Sequence, residues 1–303
     1  MDIDLSVRIG DVVFSNPVTV CSGTFIYIKE YCRKRDLKQL GALVPKTITL
    51  TPRAGNPPPR IVETPAGMVN AIGIGNKGVE CFLKEEFPFL KDIGVPIIVS
   101  ISGKDENEFI QLAERINNIG ISCIELNLSC PNLKGGRLFA QDARAAYRIV
   151  EAVKAVSYVP VIAKLTPNVT DITEIAVACE DAGADAVSMV NTFMAMVIDV
   201  EKGRPVLGNI TGGLSGPAIR PIAVYMVYKT AQKIKIPIIA MGGIMDASDA
   251  LQFLIAGASM VAVGTANFIN PNAPFDVLKG IKEYMRRKKL NQINSLWEGG
   301  YGG

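Results

Sequence analysis

The residues best placed for chemistry follow an apolar run, in the stretch Glu125-Leu126-Asn127-Leu128-Ser129-Cys130-Pro131-Asn132. Side chains alternate along a strand, so Glu125 and Asn127 share one face. Cys130 comes next, in a loop that Gly135 and Gly136 supply with hinges. A loop thiol among polar residues can act as a base or a nucleophile; the alternative is a structural thiol, as expected for Cys123 inside the apolar run. The weight on Cys130 comes from an absence: the chain has no histidine. That excludes Ser-His-Asp and Cys-His pairs and every His-ligated metal site. Proton transfer is left to Cys, Lys, Tyr, Asp, Glu or water.

Two lysines lie at the ends of other apolar runs, Lys46 in Pro45-Lys46-Thr47 and Lys164 in Ala163-Lys164-Leu165. A lysine in such a place is costly unless an anion or acceptor meets it. The pair reads either as internal ion pairs or as the wall of an anion-handling cavity. Two turns near the C-terminus, Met241-Gly242-Gly243-Ile244 and Val263-Gly264-Thr265-Ala266, let backbone amides come close to a phosphate; ordinary turns would also use glycine there. Asn70, Asn127, Asn132 and Asn191 each offer a donor and an acceptor, which suits a planar ligand with alternating N–H and C=O edges. Singly, each also suits a turn.

These residues need a scaffold, and the hydrophobic pattern describes one. Short apolar runs recur at Val18–Cys21, Ala42–Val44, Ile97–Ile101, Cys123–Leu128, Val161–Leu165, Ala186–Val190, Ile238–Met241 and Met260–Val263. Helical periodicity fills Glu106–Ile119, Ala143–Val156, Thr170–Ala182, Ala218–Ile234, Ala247–Ala256 and Pro274–Met285. Eight strand-then-helix units predict an α/β fold, a (β/α)8 TIM barrel, with parallel strands buried on both faces. A doubly wound sheet would carry G-x-G-x-x-G in its first turn; this chain has Cys21-Ser22-Gly23-Thr24-Phe25. Ser6–Ile9 and Val12–Phe14 around Gly10-Asp11 predict an N-terminal β-hairpin. Thr51–Val69, rich in Pro and Gly, and Val197–Ile210, a strand–turn–strand, are long loops on the catalytic side of the barrel. No linker interrupts the pattern, so residues 1–303 read as a single domain.

Composition narrows the function classes. The 303 residues are 49% hydrophobic and carry a formal charge of +3, which suits a packed globular chain with no nucleic-acid face. The basic run Arg286-Arg287-Lys288-Lys289 reads as a solvated helix end that complements the helix dipole. The six cysteines form no C-x-x-C pair, so neither a zinc ribbon nor an iron–sulfur run is visible. The acidic start, Met1-Asp2-Ile3-Asp4, lacks the form of a signal peptide, and no apolar run reaches the roughly 18–20 residues that span a bilayer. The expectation is a soluble, cytoplasmic protein with reduced thiols and no membrane partner.

At these residues the chain resembles the dihydroorotate dehydrogenases. Asn127-Leu-Ser-Cys-Pro-Asn132 looks like that family's active-site motif. Asn70-Ala-Ile-Gly-Ile74, Ala163-Lys-Leu-Thr-Pro-Asn-Val-Thr170, Val190-Asn-Thr192, Asn209–Pro221 and the two glycine turns extend the match over nearly the whole length. A cysteine rather than a serine base points to the soluble class 1 enzymes. Lys134-Gly-Gly136, Gln141-Asp142 and Gly212–Pro221 look like the 1B branch. The flavin domain of dihydropyrimidine dehydrogenase, acting on uracil or thymine, is the rival enzyme reading. A barrel subunit that binds a phosphate ligand and serves only assembly is the non-catalytic one.

The resemblance implies oxidation of dihydroorotate to orotate, with Cys130 as base and a hydride passed to one FMN per chain. It implies that Gly243, Gly264 and Thr265 hold the FMN phosphate, with Gly216, Gly242 and Val190 beside them. Ser22, Lys46, Thr47, Ser100 and Asn127 would line the flavin, and Lys164 would stabilise its reduced, anionic form. Lys46, the segment Asn70, Ala71, Ile72, Gly73, Ile74, and Asn127, Asn132, Asn191 and Thr192 would hold the substrate. It further implies a homodimeric core joined by an iron–sulfur flavoprotein subunit, carrying FAD and a 2Fe-2S cluster, that passes electrons to NAD in a heterotetramer. Three features depart from the family pattern. Ser100 replaces an asparagine, Cys21–Tyr27 differs around its serine and phenylalanine, and Phe193-Met194-Ala195-Met196 is bulkier than usual.

Overall fold

The computed structural model describes residues 3–25, 36–129 and 139–298. Seven of the apolar runs form parallel strands: β3 (Val18–Val20), β6 (Ile98–Ile101), β7 (Cys123–Asn127), β8 (Val161–Lys164), β9 (Ala186–Met189), β14 (Ile238–Ala240) and β15 (Met260–Val263). Their order in the sheet is β3-β15-β14-β9-β8-β7-β6. The strands are buried throughout, which is why these runs are mostly apolar on both faces.

The Ala42–Val44 run does not become a regular strand, yet it occupies the eighth place. Gly41 N–H donates to the Val18 carbonyl on one side, and Ile98 N–H donates to the Leu43 carbonyl on the other, each at 2.9 Å. Single bridges tie Leu43 to Ile97 and Ile48 to Ile101. Pro45 lies between these bridges and has no N–H to give, so the ladder is interrupted there. Gly41 is required by contact: a Cβ there would lie 2.1 Å from the Asn16 carbonyl oxygen. The result is an α/β barrel of the TIM type.

Helices cover the outside at Glu106–Ile116, Ala143–Lys154, Ile172–Asp181, Arg220–Ala231, Ala247–Ile255 and Ala273–Lys288. Four begin at an aspartate whose carboxylate accepts first-turn amides: Asp105, Asp142, Asp171 and Asp246. Such a cap is worth about 1 kcal/mol. In the Glu106–Ile116 helix, Phe109, Leu112, Ala113 and Ile116 are buried. Arg286, Arg287 and Lys288 are exposed in the last turn of theirs, as read from the sequence.

One helical region has no clear sequence signal. Residues 78–93 form Gly78–Cys81, a π-helical turn at Phe82–Glu86, and Phe87–Ile93. Pro88 opens the last of these and withholds an amide from the preceding turn.

Outside the barrel, β1 (Val7–Ile9) and β2 (Val12–Phe14) pair as the expected hairpin. The Pro/Gly-rich loop contains a second hairpin, β4 (Ile61–Thr64) with β5 (Gly67–Asn70). It joins β10 (Phe193–Ala195) and β13 (Gly212–Ser215) in an antiparallel sheet of order β10-β13-β5-β4. Between the last two, β11 (Ile198–Asp199) and β12 (Arg204–Pro205) form the predicted strand–turn–strand. Among the described residues, no helix is long and apolar enough to cross a membrane.

Candidate active site

A cavity of about 980 Å³ opens where the barrel strands end, at the upper end of the range for a ligand site. A chain of polar side chains from successive strands runs beneath its floor and reaches it at Ser22, Thr47 and Lys164. Thr47 Oγ1 lies 3.0 Å from Ser100 Oγ and donates to Ser22 Oγ at 3.3 Å. Lys164 Nζ donates to the same Ser22 Oγ and to Glu125 Oε1, both at 3.3 Å. Ser188 Oγ donates to the other Glu125 oxygen at 2.8 Å. Strand register makes this possible: Ser100 pairs with Glu125, and Lys164 with Ser188.

The charges do not cancel. Lys164 and Glu125 form a buried ion pair, with side chains 6% and 4% exposed. Lys46 has no carboxylate partner among the described residues. Burial holds its amino group below the usual lysine range, and repulsion from Lys164 adds to this. In this buried group two cations stand against one carboxylate, a balance that favours an anionic ligand.

Cys21 also lines the cavity, with Sγ 3.3 Å from the Ala262 carbonyl. Burial pushes this thiol up to about 12, against the opposing pull of Lys164. Cys21, Cys81, Cys123 and Cys179 are free thiols. Among the described residues no cluster of three or more metal-ligating side chains occurs.

One side of the cavity is made of backbone. Gly216, Gly242, Gly243, Gly264 and Thr265 meet there. Gly243 has φ +81°, and a Cβ on it would lie 2.7 Å from the Gly216 carbonyl oxygen. The amides of Gly243, Gly264 and Thr265 donate to no acceptor among the described residues. Thr265 Oγ1 donates to Ser215 Oγ at 2.8 Å, tying this turn to β13.

Another part of the wall carries amides. Asn70, Asn127 and Asn191 line the cavity with Ala71, Ile72, Gly73, Ile74 and Thr192. Asn70 Nδ2 donates to the Gly213 carbonyl at 3.3 Å, so the small sheet positions it. Asn127 Oδ1 accepts from Ser129 N–H, and Asn191 Oδ1 from Thr192 N–H; their amino groups have no partner among the described residues. Ile74 has φ +54°, an unfavourable region for a β-branched residue. Asn76 Nδ2 holds it by donating to the Ile74 carbonyl at 2.8 Å.

Ser22, Lys46, Thr47, Lys164 and Val190 therefore share one cavity with the glycine turns and the asparagines. Ser100 is the exception: it is fully buried behind Thr47 and does not line the cavity, because its short side chain ends at the Thr47 hydroxyl. Cys130 and Asn132 lie outside the described residues. The sequence reading missed the role of the loop after β8, where Asn168 binds the neighbouring loop by both of its amide groups. The signal was present as a polar residue just beyond a strand end.

The dihydroorotate dehydrogenase family model matches residues 4–285. The chain belongs to the dihydroorotate dehydrogenase family. Within it, the chain is 50% identical over 298 residues to a protein of Desulforamulus reducens, covering 98% of both chains. It is 47% identical over 295 residues to one of Geotalea uraniireducens, covering 97% of both. A protein of Desulforudis audaxviator is 50% identical over 298 residues, 98% of this chain and 97% of that one. All three are named dihydroorotate dehydrogenase B (NAD(+)), catalytic subunit. That name implies a further subunit in those proteins. Dihydroorotate dehydrogenases are in general flavin-dependent.

Proposed function

We propose that this chain oxidises (S)-dihydroorotate to orotate in pyrimidine biosynthesis, as an FMN-binding barrel domain spanning residues 1–303. The observation that carries the reading is the composition of one cavity. An excess cation, a set of asparagine amides with spare hydrogen-bonding capacity and a cradle of free backbone amides all face the same space.

The residues present fit FMN. Three amides without acceptors suit a phosphate, and Gly216, Gly242 and Val190 complete that end. Ser22, Lys46, Thr47, Asn127 and Lys164 would hold the ring system, with Ser100 acting through Thr47. When bound, the flavin supplies the hydride acceptor.

This chain's own residues would do the rest. Asn70, Asn127, Asn132 and Asn191 match the donor and acceptor edges of the pyrimidine, with Thr192 and the Ala71–Ile74 backbone closing around it. Lys46 meets the substrate carboxylate. Cys130, three residues beyond the end of β7, removes the proton from carbon 5 while the hydride leaves carbon 6. Lys164 puts positive charge where negative charge develops on oxidation.

We assign the electrons to NAD by way of an iron–sulfur flavoprotein subunit carrying FAD and a 2Fe-2S cluster. The reading includes a homodimeric core, a heterotetramer with that subunit, and a cytoplasmic setting. The names of the relatives support the partner and NAD.

Binding titration separates this reading from a chain acting on uracil or thymine. Orotate carries a carboxylate and uracil does not. Orotate should perturb the flavin absorbance at concentrations at least tenfold below uracil. Tighter binding of uracil would move the assignment to the dihydropyrimidine dehydrogenase type.

A further inference from the structure

Asn168 lines the cavity beside Thr192, and its side chain is committed elsewhere. One Nδ2 hydrogen goes to the Thr192 carbonyl at 3.0 Å and the other to Thr166 Oγ1 at 2.9 Å. Its Oδ1 accepts the Met194 N–H at 2.8 Å. A primary amide has two donor hydrogens, so Asn168 has none left for a ligand. Its contacts with Thr192 and Met194 instead imitate strand pairing and grip the loop that presents Asn191 and Thr192.

The same residue is tied to the chain just after residues 130–138. Gln141 Nε2 donates to the Asn168 carbonyl at 2.9 Å. Gln141 ends the short 3-10 helix Phe139–Gln141, immediately after residues 130–138. Ala140 N–H in turn donates to the Leu128 carbonyl at 3.1 Å. Asn168 thus bridges the Phe139–Gln141 helix and the Asn191–Thr192 segment.

We propose that Asn168 is a positioning residue for the substrate: it sets Asn191 and Thr192 against the ring and fixes their register to the Phe139–Gln141 helix. This rests on the dihydroorotate reading above. It differs from the roles of Asn70, Asn127 and Asn191, whose amides retain free groups for a ligand. A mispositioned segment loses substrate affinity and leaves the flavin end of the cavity unchanged.

The test uses the full chain loaded with FMN and three variants: Asn168→Ala, Thr192→Ala and the double variant. The readouts are FMN content, flavin reduction potential, orotate dissociation constant and the KM and kcat for dihydroorotate. Asn168→Ala should keep FMN content and potential while weakening orotate binding and raising KM at least tenfold. Because part of the Asn168 effect passes through the Thr192 side chain, the loss in the double variant should be smaller than the product of the two single losses. If Asn168→Ala does not fold, Asn168→Ser carries the same expectations, since a hydroxyl cannot span to Thr192 and Met194 together. Wild-type affinity in the Asn168 variants, or full additivity with Thr192→Ala, overturns the inference alone. Failure of the wild-type chain to bind orotate overturns the functional reading and this inference with it.

Discussion

Lys164 Nζ lies 3.3 Å from Glu125 Oε1, and this pairing leaves the neighbouring Lys46 without a carboxylate partner among the described residues. Glu125 is taken by Lys164, so an anion entering here meets Lys46 as its electrostatic partner. The arrangement gives the site its sign before any ligand is named.

Orotate affinity should therefore fall as pH rises through the alkaline range. Burial and Lys164 lower the Lys46 value, and a bound carboxylate would raise it again. Binding is then tighter to the protonated lysine, and the dissociation constant climbs as the free protein loses that proton. Lys46→Gln should bind orotate more weakly and show no such alkaline limb. An unchanged limb in that variant would remove Lys46 from the carboxylate site.

Cys130→Ala should retain FMN and lose most turnover. A free thiol titrates at about 8.5, so the wild-type rate should climb between about pH 6 and 9 as thiolate forms. Cys21 cannot supply that limb, because burial raises it to about 12. Steady-state rates across this range test the point, and a flat profile would count against a thiolate base.

Breaking the buried pair should destabilise the fold. Glu125→Ala strands the Lys164 cation and the Ser188 hydroxyl together. Removing one partner of such a pair costs roughly 3–5 kcal/mol. Urea unfolding of wild type and variant at matched FMN loading measures the loss, and equal midpoints would contradict the pairing.

Gly213→Ala should damage substrate binding through a different contact. A Cβ at Gly213 would lie 1.9 Å from Thr192 Oγ1, and Thr192 would have to move. The KM for dihydroorotate should rise at least tenfold with FMN content unchanged. An unaltered KM would show that Thr192 does not hold the substrate.

Much of the scaffold was legible because the barrel strands are short, mostly apolar runs and four helices announce themselves with an aspartate cap. What was hidden has local physical causes. Pro88 and the π-helical turn before it break the periodicity of residues 78–93. Pro45 interrupts the eighth barrel segment. The small sheet joins Asn70 to Gly213 across 143 positions, and short glycine-rich strands carry no pattern that selects such a partner. At the site, residue types pointed to Lys46, Lys164 and the asparagines. They could not show that Ser100 is enclosed behind Thr47, or that Asn168 has spent its amide on the protein itself.

The central claim is that this cavity lets dihydroorotate reduce a flavin. Anaerobic addition of dihydroorotate to the purified yellow protein, followed by its visible spectrum, tests that most directly. The account predicts prompt bleaching of the flavin band with formation of one orotate per flavin reduced. A spectrum unchanged by dihydroorotate, in protein that dithionite still bleaches, would contradict it.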